Sequence, residues 1–283
     1  MAIKLGTSDI SKVYLGATEV SKIYLGATEV YSSAADYGTY VNAMITRANA
    51  LSYTLPSSAT LTDLKTRLAT IGDTALNKLD VLHIYSPDAG TMDFFTLNVV
   101  APTTNQATLV NSPTSSKLGI ATDGSTNYID SGFDPYNDST NFTLNDNHYG
   151  FIASQSTIGI LGGQRDNTGT DAALLIGGNG VSFFANNDLG GGASSNYTAG
   201  YKVNQRISSS EFKMYSDGTE INSFSTSSIR IPNAGNIYLG GWNVDGAISS
   251  RSVNRYAGFT IGASLTTTEM STISTQITAF YGR

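Results

Sequence analysis

Apolar positions change period three times along the chain. Residues 4–30, "KLGTSDISKVYLGATEVSKIYLGATEV", restart a Leu-Gly motif at Leu5, Leu15 and Leu25, a ten-residue unit. Ile3, Val13 and Ile23 open the units, and Ile10, Val20 and Val30 close them. A unit this short suits one hairpin or one extended stretch per copy. Val13 and Leu15 would share a strand face with Tyr14 opposite, and Gly16–Glu19 and Gly26–Glu29 would form the turns. Segments under roughly 40 residues rarely bury an apolar face unaided, and the chain has no cysteine. Support must come from the rest of the chain or from another molecule.

Helical spacing follows. Tyr37, Tyr40, Val41, Met44, Ile45, Ala48 and Leu51 predict an amphipathic helix over about 36–52. Pro56 breaks it. Leu61, Leu64, Leu68 and Ile71 predict a second helix, with Thr60 or Thr62 as N-cap and Gly72 as its stop. The two read as a helical hairpin. From Val81 the pattern becomes short runs of strand-forming residues, among them "LDVLHIYS", "DFFTLNVV", "ATLVN", "NYIDSGF", "HYGFIASQ", "IGILGG", "AALLIGG", "VSFFAN", "EFKMYS" and "NIYLGGW", separated by Gly, Asn, Asp and Pro. Such punctuation predicts an all-β sandwich or barrel. In "EFKMYSDGTEINSF" the Asp217-Gly218 pair predicts a hairpin turn, with Phe212 and Met214 on one face and Lys213 and Tyr215 on the other. At the end, Thr266 and Glu269 fit a capping box before a stripe of Met270, Ile273, Ile277 and Phe280, predicting a helix that packs on the sandwich. The expected division is 1–31 repeat, 32–80 helical hairpin and 81–283 sandwich with its terminal helix.

Composition narrows the partners. Charged residues are 13% of the chain, against about 25% in an average domain, so Ser, Thr, Asn and Gly carry solubility. A net charge of −6 argues against nucleic acid. No 18-residue apolar run is present, so membrane insertion is not expected. The opening MAIKLGTSDI lacks the apolar core of a secretory signal. The expectation is a cytoplasmic protein or one carried in an assembled particle.

The stretches "IATDGSTNYIDSGF", "FKMYSDGTEINSF", "NIYLGGWN" and "YAGFTIGASLTTTEM" resemble the laminin G-like, or concanavalin-like, jelly-roll superfamily. Taken in order behind the Leu-Gly repeat, they make the whole chain, from residue 3 to 283, similar to virion proteins of tailed bacteriophages. The fold class implied is mainly β: a jelly-roll sandwich preceded by a short β-repeat and a helical hairpin. The role implied is a fibre, spike or appendage on the virion surface. Such fibres are trimers in general, so a homotrimer with other virion proteins as partners is expected, with Leu5, Val13, Leu15, Val20, Ile23, Leu25 and Val30 as anchoring and oligomerisation positions.

Chemistry is sparse. A nucleophilic triad needs a base, and the histidines are His83, inside "VLHIY", and His148, in "NDNHYG". His83 reads as a hydrogen-bonded core or edge residue and His148 as a surface residue at a loop end. The Glu-x-Asp-x-x-Glu pattern of jelly-roll glucanases is absent; of the sandwich glutamates, Glu269 reads as a cap, and Glu211 and Glu220 flank a hairpin near solvent. No enzyme is expected, although a polysaccharide-degrading activity stays as the rival reading. No cofactor is expected beyond calcium, for which Asp123, Asp130 and Asp134, with Asn137 and Asp138, offer hard oxygen ligands. Turn formation explains the same residues. Trp242 and Asn243 in "GGWNVDG", with Tyr197 and Tyr215, are the candidate contacts for a host-surface glycan; core plugging or subunit contacts explain them equally. Three readings stand: an appendage that binds host glycans, a decoration or fibre protein that binds none, and a glycan-degrading enzyme.

Overall fold

Each copy of the ten-residue repeat forms one two-stranded antiparallel hairpin in the computed structural model of the chain. The structure describes residues 4–5, 8–9, 14–15, 18–19, 22–25, 28–32, 37–155, 159–166, 173–177, 182–187, 193–194 and 199–282. Leu5 lies opposite Ser8, Leu15 opposite Thr18 and Leu25 opposite Thr28, so the three hairpins share one register. Thr18 and Glu19, expected in a turn, already belong to the returning strand. The third hairpin is the longest, pairing Lys22–Leu25 with Thr28–Ser32. Of the expected anchoring positions, Leu5, Leu15, Ile23, Leu25 and Val30 lie in these strands, whereas Val13 and Val20 lie outside the described residues. Residues Met1–Gly38 form one compact unit and Thr39–Arg283 another.

In the second unit, helix α1 (Gly38–Ala50) buries Val41, Met44 and Ala48. Helix α2 (Ser58–Ile71) buries Leu61, Leu64, Leu68 and Ile71 as its spacing predicts. Its N-cap is Ser57, not Thr60 or Thr62: the Ser57 hydroxyl accepts from Thr60 N at 3.2 Å. Thr60 sits inside the first turn, where its own hydroxyl donates to Asp88 at 2.7 Å. Gly72 ends the helix at φ +82°, a conformation that favours glycine, and a short helix α3 (Asp73–Leu76) follows. Helix α4 (Thr267–Tyr281) carries the expected capping box and buries Met270, Ile273, Ile277 and Phe280. It meets α2, where Arg67 Nη1 donates to Gln276 Oε1 at 3.3 Å. The helices thus share one compact unit with the sandwich.

The sandwich has two sheets. The first runs, edge to edge, Thr219–Phe224, Phe212–Ser216, Gly200–Arg206, Asn147–Ala153, Arg255–Gly262, Gly119–Ala121 and Thr114–Ser116, with Leu79–Ile84 also paired to Arg255–Gly262. The second runs Ala193–Ser194, Ser182–Asn187, Ala173–Gly177, Ile160–Arg165, Tyr238–Leu239, Tyr128–Asp130 and Thr108–Val110, with the Trp242–Val244 and Ala247–Ser249 hairpin joined to Ile160–Arg165. Tyr149, Phe151, Tyr256 and Phe259 from the first sheet close on Leu161, Leu174, Ile176 and Leu239 from the second. Side chains that alternate inward along both sheets make this one core. The chain is therefore mainly β, a two-sheet sandwich with a terminal helix, as expected.

Two local expectations change, and one strand lies where none was expected. "DFFTLNVV" is not a strand: Phe94–Thr96 is a 3-10 turn. The segment is apolar because it packs inside, tied to the strand Leu79–Ile84 by Asn98, whose amide accepts from Leu82 N at 3.0 Å and donates to Asp80 O at 2.9 Å. Gly200–Arg206 is a central strand although "GYKVNQR" is mostly polar. Each long polar side chain in it has a partner: Lys202 Nζ donates to Ser216 Oγ at 2.6 Å, Asn204 Nδ2 to the Tyr149 hydroxyl at 3.0 Å, and Arg206 Nε to Ala185 O at 2.9 Å. Desolvation pulls the Arg206 guanidinium down to about 10. His148 is not at the surface. It lies fully buried in Asn147–Ala153, with Nδ1 2.5 Å from Ala263 O and Nε2 3.3 Å from Thr260 Oγ1.

Candidate functional site

The turn that begins at Asp123 forms one wall of a cleft. Asp123 Oδ1 accepts from the backbone N–H groups of Ser125, Thr126 and Asn127 at 2.8, 2.9 and 3.1 Å, and Oδ2 accepts from Thr126 Oγ1 at 3.0 Å. These donors stabilise the ionised form and hold its pKa at about 2. Asn127 answers by accepting from Asp123 N at 2.8 Å. The other wall is residues 251–255, clasped to Thr122: Thr122 Oγ1 donates to Ser252 O at 2.8 Å and accepts from Asn254 N at 3.1 Å, and Thr122 N donates to Asn254 O at 2.9 Å.

A buried network stiffens that second wall. Asn254 Nδ2 reaches Ile160 O at 3.1 Å, Ser252 Oγ at 2.6 Å and the Tyr256 hydroxyl at 2.9 Å. Ser252 Oγ donates to Ile160 O, and the Tyr256 hydroxyl donates to Leu161 O. Because Tyr256 belongs to the first sheet and Ile160 and Leu161 to the second, the network bolts the sheets together beside the cleft. The cleft encloses about 560 Å³ and is lined by Asp123, Gln155, Arg251, Val253, Asn254 and Arg255. Arg255 Nη1 is fixed on Ser116 Oγ at 2.7 Å. Arg251 is exposed and makes no hydrogen bond or ion pair with a described residue. Val253 is 66% exposed.

The described residues singled out as glycan contacts do not meet in one surface. Trp242 begins a strand parallel to Ile160–Arg165, opposite Gly163, with the Arg165 guanidinium 5.6 Å from its ring centroid. It is half-buried, and its indole N–H has no acceptor among the described residues. Asn243 is 1% exposed and its amide is committed, donating to Ala234 O and Asn236 O at 2.8 and 2.7 Å and accepting from Gly246 N at 2.7 Å. Tyr215 lies in the other sheet and is buried. Tyr197 lies outside the described residues.

The aspartates considered for calcium each build a turn of their own. Asp130 Oδ1 accepts from Gly132 N and Asn236 Nδ2, both at 2.9 Å, while burial pushes its carboxyl above the ordinary range. Asp134 accepts from Tyr136 N at 3.0 Å and Asn137 Nδ2 at 2.7 Å. Among the described residues no three acidic, histidine or cysteine side chains gather where an ion could sit.

His83 is buried as expected, with Nε2 3.0 Å from Asn105 O. Desolvation holds His83 at about 3 and His148 at about 4. Both rings are neutral at pH 7 and out of reach of a substrate. Sequence reasoning missed the cleft itself. Its one available signal was "SSRSVNRY", where Arg251 and Arg255 stand four apart in a chain with few charges.

No protein-family model matches the chain, and no curated protein matches it. Solved structures similar to it include the binding domain of botulinum neurotoxin serotype D, at 10% identity and TM-score 0.45, covering 75% of this chain and 53% of that one. A Trypanosoma rangeli sialidase mutant displaying trans-sialidase activity has 14% identity and TM-score 0.44, covering 77% of this chain and 39% of that one. The Ruminococcus gnavus IT-sialidase CBM40 bound to α2,3 sialyllactose has 12% identity and TM-score 0.34, covering 47% of this chain and 84% of that one. The chain thus spans about half or less of the first two.

Proposed function

We propose that the chain is a non-enzymatic surface protein of a bacteriophage virion, a fibre or appendage. Its N-terminal repeat anchors it to other virion proteins as a homotrimer, and its sandwich presents the 121–124/251–255 cleft to host-surface glycans. The observation that carries the binding part is the make-up of that cleft. Its wall offers arginine and glutamine donors around about 560 Å³, a volume suited to a small saccharide unit. Its lining includes a single carboxylate, Asp123, already committed to three backbone N–H groups. Glycoside hydrolysis needs two carboxyl groups, one of them protonated at neutral pH, and an aspartate held at about 2 cannot donate that proton. The arrangement suits holding a sugar rather than cutting it.

The anchoring part draws on the likeness to phage proteins and on the hairpins. Among the described residues the three two-stranded sheets of like register have no further strand paired to them, an arrangement suited to pairing with further chains. Removing residues 1–31 is expected to leave a sandwich that melts as in the full chain and still binds host cells, but is absent from assembled particles. Normal incorporation of the truncated protein would refute the anchor. Release of reducing sugar from host polysaccharide would refute the non-enzymatic reading.

A further inference from the structure

The charge balance of the cleft selects among glycans. Arg251 and Arg255 both line it in a chain of net charge −6, yet neither forms an ion pair with a carboxylate among the described residues. The nearby carboxylate, Asp123, accepts from its own turn and pairs with neither arginine, so the lining keeps an excess of positive charge. Two guanidinium groups without an ion-pair partner among the described residues suit an anion, since planar N–H forks match a planar oxyanion in charge and geometry.

Resting on the glycan reading above, we infer that the cleft takes an acidic saccharide, with Arg251 and Arg255 receiving the sugar's carboxylate. Asp123 argues for a single negative charge: a fixed carboxylate on the facing wall repels a phosphate dianion more than a carboxylate. Its Oδ2, which accepts only from Thr126 Oγ1, retains capacity for a sugar hydroxyl. Gln155 supplies a neutral amide, and the exposed Val253 side chain supplies an apolar contact for a ring C–H face. Arg255 is held in place on Ser116 and the wall is bolted by the Asn254 network, so little ordering is left to the moment of binding.

The test uses the full chain and a panel of uronic-acid oligosaccharides of differing linkage, each beside its carboxyl-reduced counterpart, read by calorimetry or by NMR shifts of Arg and Asn side chains. Arg251→Gln keeps the fold intact, because Arg251 makes no contact that the fold needs. At least one acidic member should bind, with carboxyl reduction and Arg251→Gln each weakening it tenfold or more. Inorganic phosphate at equal concentration should compete less well than acetate. Acidic and reduced sugars binding alike, an unaffected Arg251→Gln variant, or phosphate competing better would overturn the carboxylate assignment while leaving glycan binding in place. Absence of binding by every saccharide, neutral ones included, would overturn the glycan reading and this inference together.

Discussion

Replacing Tyr256 by Phe removes one oxygen from the bolt between the sheets, and its cost can be worked from the contacts. The hydroxyl donates to Leu161 O and accepts from Asn254 Nδ2 at 2.9 Å. Neither partner is orphaned by the change. Leu161 O also accepts from Gly240 N at 2.9 Å, and Asn254 Nδ2 also reaches Ile160 O and Ser252 Oγ. With no further buried group orphaned by the change, the loss is two net hydrogen bonds, about 1–2 kcal/mol. Asn254→Ala removes three contacts and leaves a small void, about 2–4 kcal/mol. The bond between the two side chains is shared, so the double variant should fall short of the sum by roughly 1 kcal/mol. Urea unfolding of the four proteins, with unchanged m-values, measures this directly. Additivity within about 0.3 kcal/mol, or a Tyr256→Phe variant as stable as the parent, would refute the network as the element that holds the cleft wall.

Two further outcomes depend on pH. Burial lowers His83 to about 3 and His148 to about 4, so between those values and about 6.5 the unfolded chain binds protons that the folded chain does not. Stability should therefore fall as pH drops below about 6.5, by roughly 2–3 kcal/mol per histidine at pH 4.5. His148→Gln should flatten that decline, and parallel declines in variant and parent would disprove the assignment. At Glu269 burial raises the carboxyl pKa, but the Lys78 ammonium 2.8 Å away and Thr266 outweigh it, leaving the value below the ordinary range. Its contribution is present at neutral pH and is lost as pH falls through the lowered value, so Glu269→Gln should reduce stability at pH 7 and narrow its gap to the parent at pH 3, read by thermal melts.

Features governed by near neighbours were legible beforehand. The α4 capping box joins residues three apart, and its buried stripe follows the helical period. The Asp217-Gly218 turn was equally readable, with φ of +52° and +84° at its two residues, and Phe212 and Met214 both face inward. The ten-residue spacing left a hairpin or an extended stretch per copy, and each copy is a hairpin. The N-cap of α2 was missed by three residues because Thr60 carries a capping side chain too, and its bond to Asp88 is invisible along the chain.

What the sequence determined by itself was the set of elements whose causes act over a few residues: caps, turns, alternation, and the shift from repeat to helices to strands. Tertiary structure decided everything that joins distant segments. Gly200–Arg206 is a central strand because Ser216, Tyr149 and Ala185 supply the partners its polar side chains require. His148 is buried because Ala263 and Thr260 receive its ring. The cleft exists because Gly119–Ala121 pairs with Arg255–Gly262, which brings Asp123 beside Arg251 and Asn254 across about 130 residues of chain. Hydrogen bonding and burial at that separation depend on which surfaces meet, and local pattern carries no record of it.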